Sequence, residues 1–113
     1  MVKIGITEYQ GQKVISMSGD IDMHSSPKVR EQLMALISRK TGTVLVDFQD
    51  VSYIDSSGIA TFVEGLKGMK SYGGRLLLFG VPKPIMEIFS FSKLDKVFEI
   101  YPDVDSAHRN TKA

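Results

Sequence analysis

The fold is decided by residues 43–79, which read TVLVDFQDVSYIDSSGIATFVEGLKGMKSYGGRLLLF. Thr43–Phe48 contains three consecutive apolar residues, which is typical of a strand buried on both faces of a parallel sheet. The apolar residues between Ile59 and Met69 recur at helical spacing, and a Gly-Gly pair ends that helix. Arg75–Phe79 follows as a second short buried strand. Strand, helix and strand in this order predict a right-handed βαβ unit.

Two strands and a helix are predicted on the N-terminal side of this unit. Apolar and polar residues alternate over residues 2–6, and a second β-like run at residues 14–17 follows a turn, which predicts a β-hairpin. Gly19 interrupts the second run, so Asp20-Ile21-Asp22 is predicted to be a loop. Ser26-Pro27 supplies an N-cap and a proline at the first helical position, which predicts a helix ending at about Arg39.

On the C-terminal side, the sequence predicts a short helix at residues 85–89, a last strand at 97–101 and a terminal helix beginning near Asp103 or Asp105. The complete order is β-β-α-β-α-β-α-β-α. It indicates an α/β fold with a mixed central sheet and with helices packed mainly on one face. In such sheets functional groups collect beyond the carboxyl ends of the parallel strands, so the segments 19–26 and 49–58 are the candidate site.

Size and charge exclude several architectures and partners. The chain has 113 residues, 42% hydrophobic and 24% charged, a balance typical of one globular domain. We expect that domain to span residues 1–107 and residues 108–113, which carry no apolar pattern, to form a disordered tail. The chain has 14 Lys and Arg residues and 13 Asp and Glu residues, so its net charge is only +1. It therefore lacks the excess of basic residues needed to bind nucleic acid directly.

Other sequence features bound the compartment and the chemistry. The chain has no cysteine, which excludes disulfides, thiolate nucleophiles and cysteine metal sites. The longest apolar stretches, such as Leu76–Phe79, are far shorter than the roughly 20 residues of a membrane helix. Polar residues interrupt the first positions early, unlike a secretory signal. We expect a cytoplasmic protein without membrane insertion, cofactor or metal.

The motif Asp55-Ser56-Ser57-Gly58 stands before the clearest helix, and two interpretations of it remain open. Ser or Asp at such a position commonly caps the helix by accepting a hydrogen bond from a free backbone N–H. Alternatively, a serine hydroxyl here can be phosphorylated, because a phosphate at a helix start meets free N–H groups and the positive end of the helix dipole. That phosphate would add about −1.5 to −2 charge to a surface that already carries acidic residues.

The motif and the acidic residues near it do not favour a catalytic function. Ser56 lacks the G-x-S-x-G context of a serine nucleophile, and the candidate bases His24 and His108 lie in a loop and in the predicted tail. Asp20 and Asp22 suggest an acid–base pair or a Mg²⁺ site only weakly, because such pairs commonly solvate a loop or cap a helix. We therefore predict no enzymatic activity.

Several segments together resemble the STAS domains of bacterial anti-sigma factor antagonists. They are GDID at 19–22, VDF at 46–48, VSYIDSSGI at 51–59, GGRL at 73–76 and LDKVFEIY at 94–101. Their order and spacing cover nearly the whole chain. Two positions depart from the family pattern: Ala60 stands where many members have a second glycine, and Asp20 where glutamate is frequent. Ala60 is a helix former and Asp20 keeps the charge, so both changes are conservative.

The resemblance implies a regulatory function. In that family the unphosphorylated protein binds a serine kinase that is also an anti-sigma factor, which frees the sigma factor for transcription, and phosphorylation reverses this binding. The acceptor is the serine directly after the aspartate of the motif, here Ser56, and a PP2C-type phosphatase typically restores the free serine. The partner-binding positions carried over to this sequence are Asp20, Asp22, Asp55, Ser56, Ser57 and Gly58.

Two other interpretations stay open. The chain is alternatively a STAS subunit that docks in another assembly, such as a sensory signalling complex or a lipid-transport ATPase, through the same helix. An enzyme is the remaining alternative, motivated only by Ser56 near Asp22 and His24. The neighbouring genes separate the two binding functions, and ester hydrolysis that disappears in Ser56→Ala would support the enzyme.

Overall fold

The computed structural model describes residues 2–111 and contains the predicted order β-β-α-β-α-β-α-β-α. The elements are β1 (Val2–Tyr9), β2 (Gln12–Ile21), α1 (Ser26–Ser38), β3 (Thr43–Ile54), α2 (Ser56–Lys70), β4 (Arg75–Phe79), α3 (Lys83–Phe91), β5 (Glu99–Tyr101) and α4 (Val104–Arg109). A 3-10 turn, Leu94–Lys96, lies between α3 and β5. Within the described residues, no helix has the length and apolar character needed to cross a membrane.

The five strands form one sheet in the order β1-β2-β3-β4-β5. β1 pairs antiparallel with β2, and the other neighbours pair in parallel, which confirms the predicted mixed sheet. Helices α1, α2 and α3 pack on one face, where Phe48 of β3 lies with its ring 5.2 Å from that of Phe62 and 6.0 Å from that of Phe89. Leu45 and Leu77 alternate with residues of that core and meet α4 on the opposite face.

β2 and β3 are longer than the sequence predicts. The sequence predicts loops from Gly19 and from Gln49, but β2 continues to Ile21 and β3 to Ile54. Two register shifts between the strands accommodate the irregular residues. Pairing resumes at Ser18 with Asp50 after the first shift and at Asp20 with Tyr53 after the second. Gly19 has a φ of 96°, which glycine adopts without steric cost, so the chain forms a bulge and the strand continues.

The elements after β4 also differ from the prediction in their bounds. Helix α3 spans residues 83–91 and not only 85–89, because Pro84 is accommodated in its first turn, where no intrahelical N–H is needed. The last strand begins at Glu99 and not at residue 97, because Lys93 adopts a left-handed φ of 61° and starts the 3-10 turn.

The sequence predicts a disordered tail from residue 108, and the structure corrects this for residues 108–111. Helix α4 starts at a capping box formed by Asp103 and Ser106 and includes His108, which is only 7% exposed. Nδ1 of His108 lies 2.9 Å from Oε1 of Gln12, and Nε2 of Gln12 donates to Oγ1 of Thr111 at 2.6 Å. Because these contacts are polar, the apolar periodicity of the sequence does not predict that residues 108–111 pack against β2. Residues 112 and 113 lie outside the described residues.

Candidate functional site

The two candidate segments meet at one edge of the sheet, where the parallel strands β2 and β3 both end. The backbone N–H of Asp55 donates to the carbonyl of Ile21 at 3.1 Å, which ties the start of α2 to the end of β2. Asp22 follows Ile21 directly, so the structure brings the Asp22 and Asp55 segments side by side.

Gly58 permits this close approach. It is buried in the first turn of α2, and a Cβ at this position would lie 2.6 Å from Cγ1 of Ile54 and 2.8 Å from Cγ2 of Ile21. The carbonyl oxygen of Ile21 would be 3.1 Å away. A larger residue would therefore push the first turn of α2 away from the strand ends. Because it is buried, Gly58 positions its neighbours and does not present a surface itself.

Asp55 is the N-cap of α2. The sequence alone does not indicate which residue of the motif caps the helix. Oδ1 of Asp55 accepts the backbone N–H groups of Ser57 at 3.0 Å and Gly58 at 3.2 Å, and the hydroxyl of Ser57 donates to the same oxygen at 2.5 Å. The Ser57 hydroxyl, together with these N–H groups, lowers the pKa of Asp55 despite partial desolvation. The carboxylate is therefore charged at neutral pH.

The two serines of the motif have different surroundings. Ser57 is half-buried, its hydroxyl is held by Asp55, and its carbonyl accepts the hydroxyl of Thr61 at 3.0 Å. Ser56, the first residue of α2, is exposed, and within residues 2–111 no hydrogen bond engages its hydroxyl. Ser56 is therefore the hydroxyl of the motif that a macromolecule arriving from solvent reaches.

The backbone N–H groups at the start of α2 are largely occupied. Asp55 accepts those of Ser57 and Gly58 through its side chain and that of Ile59 through its carbonyl, at 3.0 Å. We expect from the sequence that a phosphate on Ser56 meets free backbone N–H groups. For the N–H groups of Ser57, Gly58 and Ile59 this expectation is wrong, because Asp55 already accepts them.

Asp22 organises the segment between β2 and α1. Its Oδ1 accepts the backbone N–H groups of His24 at 2.9 Å and Ser25 at 3.1 Å, and the hydroxyl of Ser25 donates to the carbonyl of Asp20 at 2.7 Å. Partial desolvation would raise the pKa of Asp22, but the hydrogen bonds from His24 and Ser25 outweigh it and the pKa is lowered. Asp22 therefore brings a second charge to the edge where Asp55 lies.

Asp20 lies differently from the prediction, which places it in a loop. It is a half-buried residue of β2 and pairs with Tyr53 of β3. Tyr53 is 50% exposed, so this strand pair presents an aromatic side chain beside the acidic edge.

An apolar groove between α2 and α3 begins at Ser56, and the sequence pattern does not predict it. Its volume is about 610 Å³, and its apolar lining is Ile54, Ile59, Ala60, Val63 and Ile88, with Asp55 and Ser56 at one end. Ile59 and Val63 fit the helical stripe of α2, so their sequence spacing alone does not distinguish a groove from the core. The groove gives the surface around Ser56 an apolar part beside its acidic part.

The described residues offer little for catalysis or metal binding. His108 lies on α4, on the sheet face opposite α2, and His24 is an exposed residue of the loop after β2. Within residues 2–111, no group of three or more His, Asp or Glu side chains is arranged to hold a metal ion.

The sequence model of the STAS domain matches residues 3–107. The chain belongs to the STAS domain family. This STAS domain is 36% identical over 87 residues to the anti-sigma-B factor antagonist of Listeria monocytogenes, which covers 76% of this chain and 75% of that protein. Such names describe regulatory antagonists, which supports the prediction that the STAS domain is a binding protein and not an enzyme.

Solved structures share the fold of this STAS domain. The crystal structure of an anti-sigma factor antagonist from Mycobacterium paratuberculosis superposes with a TM-score of 0.90 at 21% identity, covering 100% of this chain and 96% of that one. The Bacillus cell fate determinant SpoIIAA in its phosphorylated form superposes with a TM-score of 0.74 at 20% identity, covering 95% of this chain and 98% of that one.

Proposed function

We propose that this STAS domain is an anti-sigma factor antagonist controlled by phosphorylation of Ser56. The unphosphorylated chain binds an anti-sigma factor serine kinase and thereby releases a sigma factor, and a phosphate on Ser56 abolishes that binding. The carrying observation is the contrast between the two serines: Ser56 is exposed with an unengaged hydroxyl within residues 2–111, whereas Asp55 holds the hydroxyl of Ser57. A kinase acts on an accessible hydroxyl, and the motif offers one.

The binding surface in this proposal combines acidic and apolar parts. Asp22 and Asp55 are charged at neutral pH, and hydrogen bonds lower the pKa of each further, so cationic groups on the kinase complement them. Ser56 lies between this acidic edge and the apolar groove of α2 and α3. Asp20 and Ser57 complete the same edge of the sheet, and the buried Gly58 keeps its geometry.

Phosphorylation opposes binding through charge and desolvation. The phosphate adds about −1.5 to −2 charge beside the carboxylate of Asp55. Asp55 already accepts the N–H groups of Ser57 and Gly58 in the first turn, so these groups are not available to offset the charge of the phosphate. A hundredfold loss of affinity corresponds to about 2.7 kcal/mol. Burying a phosphate in a closed interface reaches that value, whereas a contact at the exposed rim does not, so Ser56 lies near the centre of the interface.

The relatives support this function over a docking subunit of another assembly. The Listeria relative is named as an antagonist of an anti-sigma factor, and SpoIIAA, which shares the fold, is described in a phosphorylated form. In the complete cycle, which takes place in the cytoplasm, a PP2C-type phosphatase removes the phosphate from Ser56 and restores binding.

Phosphosite mapping tests the proposal. The chain is incubated with ATP and the serine kinase encoded nearest to its gene, and the intact mass and the modified residue are determined by mass spectrometry. We expect one phosphate, located on Ser56 and absent from Ser56→Ala. The matched control is Ser71→Ala, at the opposite end of the same helix, which should take up the phosphate as the wild type does. An unmodified wild-type chain with a kinase shown to be active would contradict the proposal.

A further inference from the structure

We infer that Asp55 selects the phosphorylation site by holding the hydroxyl of Ser57, so that Ser56 alone of the two adjacent serines accepts a phosphate. The inference rests on the proposed function, which supplies the kinase and ATP. It adds a positioning role for a residue that does not itself react.

The geometry distinguishes two hydroxyl groups that are neighbours in sequence. The hydroxyl of Ser57 lies 2.5 Å from Oδ1 of Asp55, whereas that of Ser56 is unengaged within residues 2–111. The carboxylate is fixed in turn, because the same oxygen accepts the backbone N–H groups of Ser57 and Gly58. A charge-assisted hydrogen bond of this kind is among the strong ones in proteins, and Asp55 cannot rotate away without uncapping α2.

The chemistry of phosphoryl transfer is impeded at Ser57 by this arrangement. The serine oxygen must bond to the γ-phosphorus of ATP while the bond from that phosphorus to the bridging oxygen breaks. ADP then leaves with the electron pair, and the hydroxyl proton passes to a base of the kinase. The Ser57 hydroxyl donates its proton to Oδ1 of Asp55, so this hydrogen bond must break before a base of the kinase can take the proton. Asp55 is also a poor base for that proton because its pKa is lowered.

Replacing Asp55 should therefore expose a second acceptor. In Asp55→Ala the hydroxyl of Ser57 loses its partner, and we expect the ratio of phosphate on Ser57 to phosphate on Ser56 to rise about tenfold or more, the factor associated with one charge-assisted hydrogen bond. Asp55→Asn keeps an oxygen that caps the helix but removes the charge, so a smaller rise is expected. Asp103→Ala is the matched control, because it removes the aspartate N-cap of α4 on the opposite sheet face and should leave Ser57 unmodified.

Site-resolved mass spectrometry of wild type, Asp55→Ala, Asp55→Asn and Asp103→Ala, each treated with kinase and ATP, decides the inference. Phosphate on Ser57 in the Asp55 variants supports it. Phosphate confined to Ser56 in both of these variants overturns it and leaves the proposed function standing. The inference is also overturned if the wild type is phosphorylated and neither variant is, since Asp55 is then needed for recognition. If the wild type takes phosphate on neither serine, the proposed function fails as well.

A second measurement needs no kinase. The pKa of Asp55 is followed by NMR titration of its carboxyl carbon in the wild type and in Ser57→Ala. We expect the pKa to rise in Ser57→Ala, because the Ser57 hydroxyl is the largest influence that lowers it. An unchanged pKa would show that the hydroxyl is not held in solution, which overturns the inference.

Discussion

The substitution Gly58→Ala is expected to destabilise the fold although alanine is the better helix former. Gly→Ala inside a helix gains about 0.5–1 kcal/mol in propensity. Here the new Cβ would lie 2.6 Å from Ile54 and 2.8 Å from Ile21, and 3.1 Å from the backbone oxygen of Ile21. Both isoleucines are fully buried and stiff at χ1, and overpacking of this kind costs about 1–3 kcal/mol. We expect a net loss of about 1–2 kcal/mol in the free energy of unfolding.

Gly68→Ala in the same helix is the matched control. Its Cβ would meet only the Ile37 side chain among the three nearest atoms, tightly at Cδ1, 3.2 Å away, and at ordinary contact distance from Cγ2, at 3.4 Å. A methyl group at the end of a half-buried side chain can move by the few tenths of an ångström required, so the gain in propensity remains. We expect Gly68→Ala to be neutral or stabilising by up to about 1 kcal/mol.

Urea unfolding of both variants measures the difference. A gap of about 2 kcal/mol between them corresponds to roughly 1 M in the urea midpoint for a domain of this size. Equal midpoints for Gly58→Ala and Gly68→Ala would refute the argument that Gly58 is required for the close approach of α2 to the strand ends.

Three further substitutions or deletions test other parts of the structure. Phe48→Ala removes a fully buried ring that packs against two other aromatic rings and should lower the free energy of unfolding by about 3–5 kcal/mol, measured by urea unfolding with Tyr53→Ala, an exposed site, as control. The Arg75 guanidinium holds the pKa of Glu99 below its usual value, so the stabilising charge is present above the unfolded pKa of about 4.3 and is lost as the pH falls through the lower folded value. The loss of stability in Glu99→Gln should therefore be visible at neutral pH and vanish at lower pH, and a pH-independent difference would contradict it. Deletion of residues 108–113 should lower the melting temperature, because it removes the hydrogen bonds of His108 and Thr111 with Gln12. An unchanged melting temperature would contradict this docking and support the prediction of a disordered tail.

The order of the elements could be predicted from sequence because it depends on apolar periodicity. Residues 75–79 are a strand in the prediction and in the structure, since consecutive apolar residues bounded by glycine leave few alternatives. The ends of β2 and β3 could not be predicted, because polar residues there continue pairing through register shifts that only the neighbouring strand determines. The docking of His108 escaped prediction for a similar reason, since its partner Gln12 is distant in sequence.

The candidate site was only partly accessible from sequence. The residue types of the motif at residues 55–58 predict the start of a helix. Which of these residues caps the helix, and which serine is exposed, depends on the geometry. The cap falls to Asp55, Ser57 is held by it, and only Ser56 is left exposed. The apolar groove could not be predicted either, because it exists only where α2 and α3 lie side by side.

The affinity of the kinase for the chain with and without phosphate on Ser56 tests the switch most directly. The unphosphorylated and the fully phosphorylated chain, both shown to be folded by circular dichroism, are titrated against the anti-sigma factor kinase by isothermal calorimetry. We expect phosphorylation to weaken binding about a hundredfold, equivalent to about 2.7 kcal/mol. Equal affinity of the two forms would contradict it.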